Sequence, residues 1–402
     1  MSILDKIKKN SSIKESAILA KSKFFTDKDM IPTAIPIINV ALSGRLDGGL
    51  TPGLTMWAGP SKHFKTAFSL LMAKSYLDKY EDAALLFYDS EFGTPQSYFD
   101  SFGIDTSRVL HTPLMDIEQL KFDVMNQLTN LERGDKLIII IDSIGNLASK
   151  KEVEDALAEK SVADMSRAKQ VKSLFRMVTP HLTMKDIPMI VVNHTYKEIG
   201  MFPKDIVGGG TGSYYSADNI FILGRQQEKE GTEIVGYNFI INVEKSRYVK
   251  EKSKIPVTVS FDGGISKWSG LLDIALESGH VVKPSNGWYS KCDPSTGEIE
   301  DKKYRLKDTD STEFWGSIVS NKTFSGWVKQ NYQVSHGSLL DNNEISEETI
   351  AEFEKAVLYL NLAYIYAQRI DWLVSGDDGE ETFHKRLTDD LKNLDNNSKN
   401  KL

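Results

Sequence analysis

Six short runs of almost unbroken apolar residues, at 54–58, 84–88, 137–141, 188–192, 219–223 and 239–243, recur along the chain with polar, Gly- and Pro-marked stretches between them. A strand with one wet face alternates apolar and polar side chains. A strand covered on both faces reads instead as a continuous apolar run, and the usual cover is a layer of crossover helices on each side of a parallel sheet. Segments 66–77 and 117–131 read as amphipathic helices lying between those runs. The expected fold class is therefore α/β, a mainly parallel sheet flanked by helices.

At 402 residues the chain exceeds what one hydrophobic core comfortably serves, so a second domain is expected. Near 266–272 the apolar runs give way to polar, loop-rich sequence carrying Trp268, Trp288, Trp315 and Trp327. A helix is expected over 347–373, with Ser346 as N-cap and Glu347 and Glu348 in the first turn, where the helix dipole favours negative charge. Residues 376–402 lack apolar periodicity and read as a flexible tail. At the other end Ile3, Leu4 and Ile7 begin a helical spacing too short to fold alone, and Phe24 and Phe25 have no evident core of their own. The division expected is a short N-terminal helical arm for subunit contact at 1–30, the α/β core at 31–268, a smaller C-terminal domain at 269–375 and the tail at 376–402. No internal repeat is found.

Nothing in the sequence approaches the roughly 18 consecutive apolar residues of a membrane helix, and the N-terminus lacks the apolar stretch of a signal peptide. The chain reads as cytoplasmic, with no membrane partner. The single cysteine, Cys292, excludes an internal disulfide and reads as inert. A net charge of −7 argues against holding nucleic acid by bulk positive charge, so any contact with DNA must be local.

The densest chemistry follows the first apolar run. Gly59-Pro60-Ser61-Lys62-His63-Phe64-Lys65-Thr66 leaves a strand and opens a helix, the setting of a phosphate-binding loop. Its backbone amides would converge on an anion at the helix N-terminus, Lys65 would reach the β and γ phosphates, and the Thr66 hydroxyl would ligate Mg²⁺. Phe64 occupies the position of the second glycine, where a Cβ implies strain or an altered loop. A plain Gly-Pro turn before an ordinary helix is the competing reading. Against that reading, the run 137–141 ends in Asp142, placed as a carboxylate for the nucleotide's metal, and the run 84–88 leads to Glu91, placed to orient and deprotonate an attacking water.

Two further segments follow strands on the same edge. The first, 148–162, leads into a helix with Arg167, Lys169 and Lys172; the pair Lys150-Lys151 is offset by acids. The second, 195–212, holds Tyr196, Lys197, Ile199, Met201, Phe202, Lys204 and the run Gly208-Gly209-Gly210, a flexible loop whose amides and lysines suit phosphates while an apolar side chain wedges between bases. A mobile loop without a ligand is the alternative.

The order of these motifs resembles the RecA recombinases. Leu42-Ser43-Gly44 with Gly48-Gly49, the loop 59–66, Tyr88-Asp89-Ser90-Glu91-Phe92-Gly93, Ile141-Asp142-Ser143, Asn193-His194-Thr195-Tyr196 and Gly208-Gly209-Gly210-Thr211-Gly212 follow one another as they do there. Phe64 and Asn-His-Thr-Tyr are similar to the UvsX branch of T-even phages, which shares the Phe64 departure. The resemblance runs from about Ser22 to Glu313-Phe314-Trp315-Gly316, and nothing beyond about Asn331 is recognised. It implies a RecA-like P-loop ATPase core using ATP and Mg²⁺. It also implies a helical filament of the protein with itself on single-stranded DNA, with ATP between neighbouring subunits, and exchange with homologous duplex DNA in recombination, repair and replication. A mediator protein and a single-stranded-DNA-binding protein are the implied helpers, in the bacterial host cytoplasm if the gene is a phage's. By position, Tyr98 would stack on adenine, although a surface aromatic reads equally well, and His194 would sense the γ-phosphate. Lys245 and Arg247 would reach a neighbour's γ-phosphate in trans as an arginine finger does, against the plain reading of a solvated basic strand end. Val162 and Ile199 would wedge between base steps.

Two other readings share part of this site. A ring-forming RecA-fold motor of the helicase kind should carry a sizeable N-terminal partner domain, and only about thirty residues precede the core here. A non-hydrolysing ATP-binding mediator would fit Phe64 but not the retained Glu91, Lys65, Thr66 and Asp142.

Overall fold

The computed structural model describes residues 2–22, 28–159, 166–198 and 203–334. Phe24, Phe25, Val162, Ile199, Met201 and Phe202, the helix expected over 347–373 and the tail all lie outside the described residues.

Helix α1 (Ile3–Asn10) is closed at its start by a reciprocal pair, Ser2 Oγ accepting from the Asp5 amide and the Asp5 carboxylate accepting from the Ser2 amide. It buries none of its residues. Helix α2 (Pro36–Ser43) begins with Pro, whose missing N–H costs nothing at that position, and is buried beyond Pro36 and Ile35's cap. The chain then alternates strand and helix: β1 (Gly53–Ala58), α3 (Lys65–Lys79), β2 (Ala84–Asp89), α4 (Gln96–Ser101), β3 (Val109–Pro113), α5 (Ile117–Asn130), β4 (Leu137–Asp142), α6 (Lys150–Leu157), α7 (Ser166–Lys185) and β5 (Pro188–Asn193). A small hairpin, β6 (Thr195–Lys197) and β7 (Asp205–Val207), precedes α8 (Thr211–Ser216), and the long strands β8 (Asn219–Glu230), β9 (Glu233–Ser246), β10 (Lys254–Ser260) and β11 (Gly264–Ile265) complete the sheet.

The nine strands lie in the order β11-β10-β9-β8-β1-β5-β4-β2-β3. From β8 to β3 every pairing is parallel, and β9, β10 and β11 extend the other side by antiparallel pairing. The central strands divide their side chains between two buried clusters. Trp57, Phe87, Ile140 and Phe221 face α2 and α3, whereas Met56, Tyr88, Ile141 and Ile220 face α5 and α7. Burial on both faces is why these strands read as unbroken apolar runs, and the mainly parallel α/β core expected from them is observed. Helices α9 (Leu271–Glu277), α10 (Thr312–Val319) and α11 (Lys322–Tyr332), with the hairpin β12 (Val281–Ser285) and β13 (Trp288–Lys291), follow the sheet. Leu271, Trp315, Phe324 and Val328 join the same buried cluster as Phe239 and Ile37.

Three features depart from the expectation. β3 is an additional edge strand whose polar His111 and Thr112 conceal it from a search for apolar runs. The runs at 219–223 and 239–243 are only the buried halves of β8 and β9, which continue into a more polar stretch flanked by β10 and end in a short two-stranded tip. Lastly, neither loop candidate is without structure. Ser149 and Glu152 form a capping box that starts α6 inside 148–162, and Tyr196 opposite Ile206 pins the hairpin inside 195–212. Among the described residues no helix is long and apolar enough to cross a membrane.

Candidate nucleotide site

The carboxyl ends of β1, β4, β5 and β2 lie side by side, Ala58 opposite Asn193 and Asp89 opposite Asp142, so the loops leaving them share one crevice at the edge of the sheet. The loop from β1 is 59–66. Gly59 runs against β8, where an added Cβ would stand 3.1 Å from the Leu223 carbonyl oxygen. Phe64, the N-cap of α3, takes the left-handed conformation a glycine would take, with φ 60° and ψ 16°. A Cβ there costs about 1–2 kcal/mol. The ring meets Phe239 at 4.8 Å and Phe68 at 6.3 Å between centroids, so its packing offsets the strain and the loop keeps its shape.

Lys65 is buried, and its Nζ donates to the carbonyls of Gly59 at 3.0 Å and Pro60 at 2.7 Å. Burial pulls its pKa below the ordinary lysine value, against the opposing pull of the Glu91 and Asp142 carboxylates. Thr66 Oγ1 donates to Asp142 Oδ2 at 2.6 Å. Asp142 Oδ1 is buried without a hydrogen-bond partner, and burial raises this carboxyl to about 6, with Thr66 pulling the other way and the Glu91 and Asp89 charges adding to the rise. A hydroxyl and an orphaned carboxylate oxygen are hard donors that fit Mg²⁺ beside a phosphate. Pro60, Ser61 and Lys62 form the turn of the loop; Lys62 also has positive φ, 61°, and its carbonyl accepts from Arg225 at 3.2 Å. His63 Nδ1 lies 2.9 Å from the Ser61 carbonyl oxygen, and burial lowers its pKa. Tyr98, on α4, is half-buried with Phe102 edge-on at 5.6 Å; burial and then the Asp142 charge raise its hydroxyl pKa.

Glu91 stands on the turn after β2. Its Oε1 accepts from Ser143 Oγ at 2.6 Å and lies 2.8 Å from His194 Nε2, and those bonds, His194 first, pull its carboxyl down to about 2 against the rise from burial. The imidazole fits because Gly145 has no side chain: a Cβ there would stand 2.5 Å from His194 Cδ2. Asn193 Oδ1 accepts from the His194 amide at 2.8 Å, Asn193 Nδ2 donates to the Gly208 carbonyl at 2.8 Å, and the Gly208 amide donates to the His194 carbonyl at 2.9 Å. The carboxyl end of β5 is thus tied to the glycine run, in which Gly209 and Gly210 have φ of 90° and 73°.

The remaining candidates divide. Lys169 and Lys172 are exposed on α7, Lys204 is exposed, and Lys197 pairs with Asp205 at 2.9 Å. Arg167 is spent on structure, donating to the carbonyls of Leu147 at 2.7 Å, Ile144 at 2.9 Å and Gly145 at 3.0 Å. Lys245 and Arg247 are not brought to the crevice at all. Because β9 runs antiparallel to β8, its carboxyl end lies beside the start of β1. There Lys245 Nζ donates to the Tyr214 carbonyl at 2.7 Å, and Arg247 Nε pairs at 2.6 Å with Asp218, whose other oxygen accepts from the Leu54 amide at 2.8 Å. The residues missed by sequence reading are Ser143, Gly145, Asp89 and Asp218. Ser143 follows Asp142 directly and Asp89 lies two residues before Glu91, spacings that invite inspection; the other two depend on approaches only the fold creates.

The family model of the RecA N-terminal domain matches residues 2–266. The chain belongs to the RecA family. The model of the C-terminal domain of the bacteriophage T4 recombination and repair protein matches residues 268–328. Among RecA-family relatives, the recombination and repair protein of Enterobacteria phage T4 is 53% identical over 348 residues, 86% of this chain and 88% of that protein. Protein RecA of Paenarthrobacter aurescens is 27% identical over 70% of this chain and 79% of its own length, and that of Bacteroides thetaiotaomicron 27% over 76% and 90%. The RecA resemblance read from the motifs, and its phage leaning, are borne out.

Proposed function

We propose that this chain is a recombinase of recombination and repair, a DNA-dependent ATPase that polymerises head to tail on single-stranded DNA and exchanges strands with homologous duplex. The similarity to the recombination and repair protein of phage T4 supports the first part. The observation that carries the rest is the separation of the phosphate loop from Lys245 and Arg247: across β8 they stand level with Met56 and Leu54, two and four residues before the loop end of β1, and their side chains turn to Tyr214 and Asp218, so about 7–13 Å of strand and two strand spacings of about 4.8 Å part them from the loop. Those cations serve a phosphate only on a second copy placed head to tail, and such heterologous contacts build filaments or rings. The exposed Ile3, Leu4 and Ile7 of α1, the exposed Leu110 on edge strand β3, Met115 just after it and Phe122 on α5 support contact between copies.

In this reading the loop amides and Lys65 hold the β and γ phosphates, and Thr66 and Asp142 hold Mg²⁺, which supplies charge neutralisation. Tyr98 packs against the base. Glu91 takes the proton of the attacking water. While His194 and Ser143 bond its carboxylate, Glu91 is a weak base; a His194 turned toward a γ-phosphate oxygen leaves it stronger and moves the hairpin β6–β7 through Gly208. Lys169, Lys172, Lys197 and Lys204 then meet DNA phosphates. The work belongs in the host cytoplasm, with a mediator and a single-stranded-DNA-binding protein as helpers. The test is ATP turnover with and without single-stranded DNA, alongside electron microscopy. DNA-stimulated turnover with filaments is expected; rings, or binding without turnover, would favour the motor or the mediator.

A further inference from the structure

Glu91 sits on neither strand nor helix, so something other than a regular ladder must fix it. Asp89, buried at 3% exposure, does so: its Oδ1 accepts from the amides of Glu91 at 3.0 Å and Phe92 at 2.8 Å. This is the side-chain mimic of a backbone turn, and it holds Phe92 at a φ of 54°. The other oxygen, Oδ2, lies 3.2 Å from His111 Nε2 on the neighbouring strand β3. His111 pairs in register with Phe87 and its ring stacks on the Phe87 ring, centroids 6.0 Å apart and planes at 26°, which aims Nε2 at the carboxylate. A buried carboxylate gripped at one oxygen only is free to rotate about its last bond; gripped at both it is not.

We propose that His111 is a positioning residue for Glu91, acting through Asp89. The proposal rests on the reading of Glu91 as the group that activates water. Neither Asp89 nor His111 has a described hydrogen bond to the phosphate loop, so the effect falls on turnover and not on nucleotide binding. Displacements near 1 Å cost catalysis about 10²-fold, and loosening one end of this relay should cost somewhat less.

The test uses the full chain and single-stranded-DNA-stimulated ATP turnover. His111→Ala should lower kcat by roughly 10-fold or more while KM for ATP stays within about twofold. His111→Gln, whose amide nitrogen can reach Asp89, should restore most of kcat, and His111→Phe, which keeps the stacking without the nitrogen, should not. In a Glu91→Gln background His111→Ala should cause no further loss. An unchanged kcat in folded His111→Ala, equal kcat in the Gln and Phe variants, a KM rise matching the kcat loss, or an additive loss in the double variant would each overturn the proposal. Should His111→Ala fail to fold, the Gln and Phe comparison decides. Glu91→Gln with wild-type turnover sinks the reading of Glu91; an inactive Glu91→Gln beside a wild-type His111→Ala sinks only the positioning role.

Discussion

Phe64 holds a left-handed backbone that glycine adopts freely, and its ring leans on Phe239 and Phe68. Replacement by Gly removes strain and packing together, whereas replacement by Ala removes the packing and keeps the strain. Phe64→Ala is therefore expected to be less stable than Phe64→Gly by about 1 kcal/mol, with both below wild type. Chemical denaturation measures the order, and an Ala variant as stable as the Gly variant would refute the account. The sequence raised the question at this position without answering it, because aromatic packing across the sheet depends on β9 lying beside β8. Glu91 offers a second measurement. Its carboxyl is lowered from 4.5 to about 2 by His194 and Ser143, and a lowered acid stabilises the fold above its unfolded value and loses that contribution as pH falls through the folded one. The thermal midpoint of wild type relative to Glu91→Gln should thus converge as pH drops from about 4.5 toward 2. A difference that stays constant across this window would mean that the carboxylate's bonds do not matter to the fold.

β5 and the hairpin after it form one hydrogen-bonded piece, from Asn193 and His194 through Gly208 to the glycine run. The apolar run at 188–192 made β5 legible and the motif order flagged His194, but the hairpin was hidden in a segment that reads as loop. Three-residue strands leave too little alternation to detect, and α6 was equally missed although Ser149-Lys150-Lys151-Glu152 spells its cap. If this piece carries the message between fuel and DNA, the coupling is reciprocal, so ATP tightens DNA binding by the factor by which DNA tightens ATP binding. His194→Ala should keep nucleotide and basal DNA affinity yet lose most of the difference between a non-hydrolysable ATP analogue and ADP, measured at fixed salt. Gly145→Ala should do the same with every functional side chain intact, since its Cβ would stand 2.5 Å from His194 Cδ2. A Gly145→Ala protein with the full wild-type difference would show that the imidazole's seat is unimportant.

The family resemblance implied that the two basic residues at the end of β9 serve a neighbour, but no local spacing places them away from the phosphate loop, because the direction of β9 is set by its long hairpin with β8. A bulge between Ile220 and Phe221 re-aims the strand just before Lys245, and Asp218 then anchors Arg247 beside the start of β1. On the proposed reading such a molecule carries half of a shared site on each end. If each subunit in an assembly pairs its own loop with its neighbour's cations, two crippled proteins with different lesions can make one sound interface between them. Lys65→Ala protein supplies intact cations and Lys245→Ala/Arg247→Ala protein an intact loop. Random mixing in equal parts makes about a quarter of the interfaces sound, and that fraction is greatest at equal parts. Turnover on single-stranded DNA should accordingly be near zero for either protein alone and rise to a maximum near a 1:1 mixture, a curve no contaminant of one preparation would produce. If co-assembled filaments, seen by electron microscopy, turn over ATP no faster at any ratio than the sum of the two proteins apart, the cations do not act across the interface and the head-to-tail site is wrong.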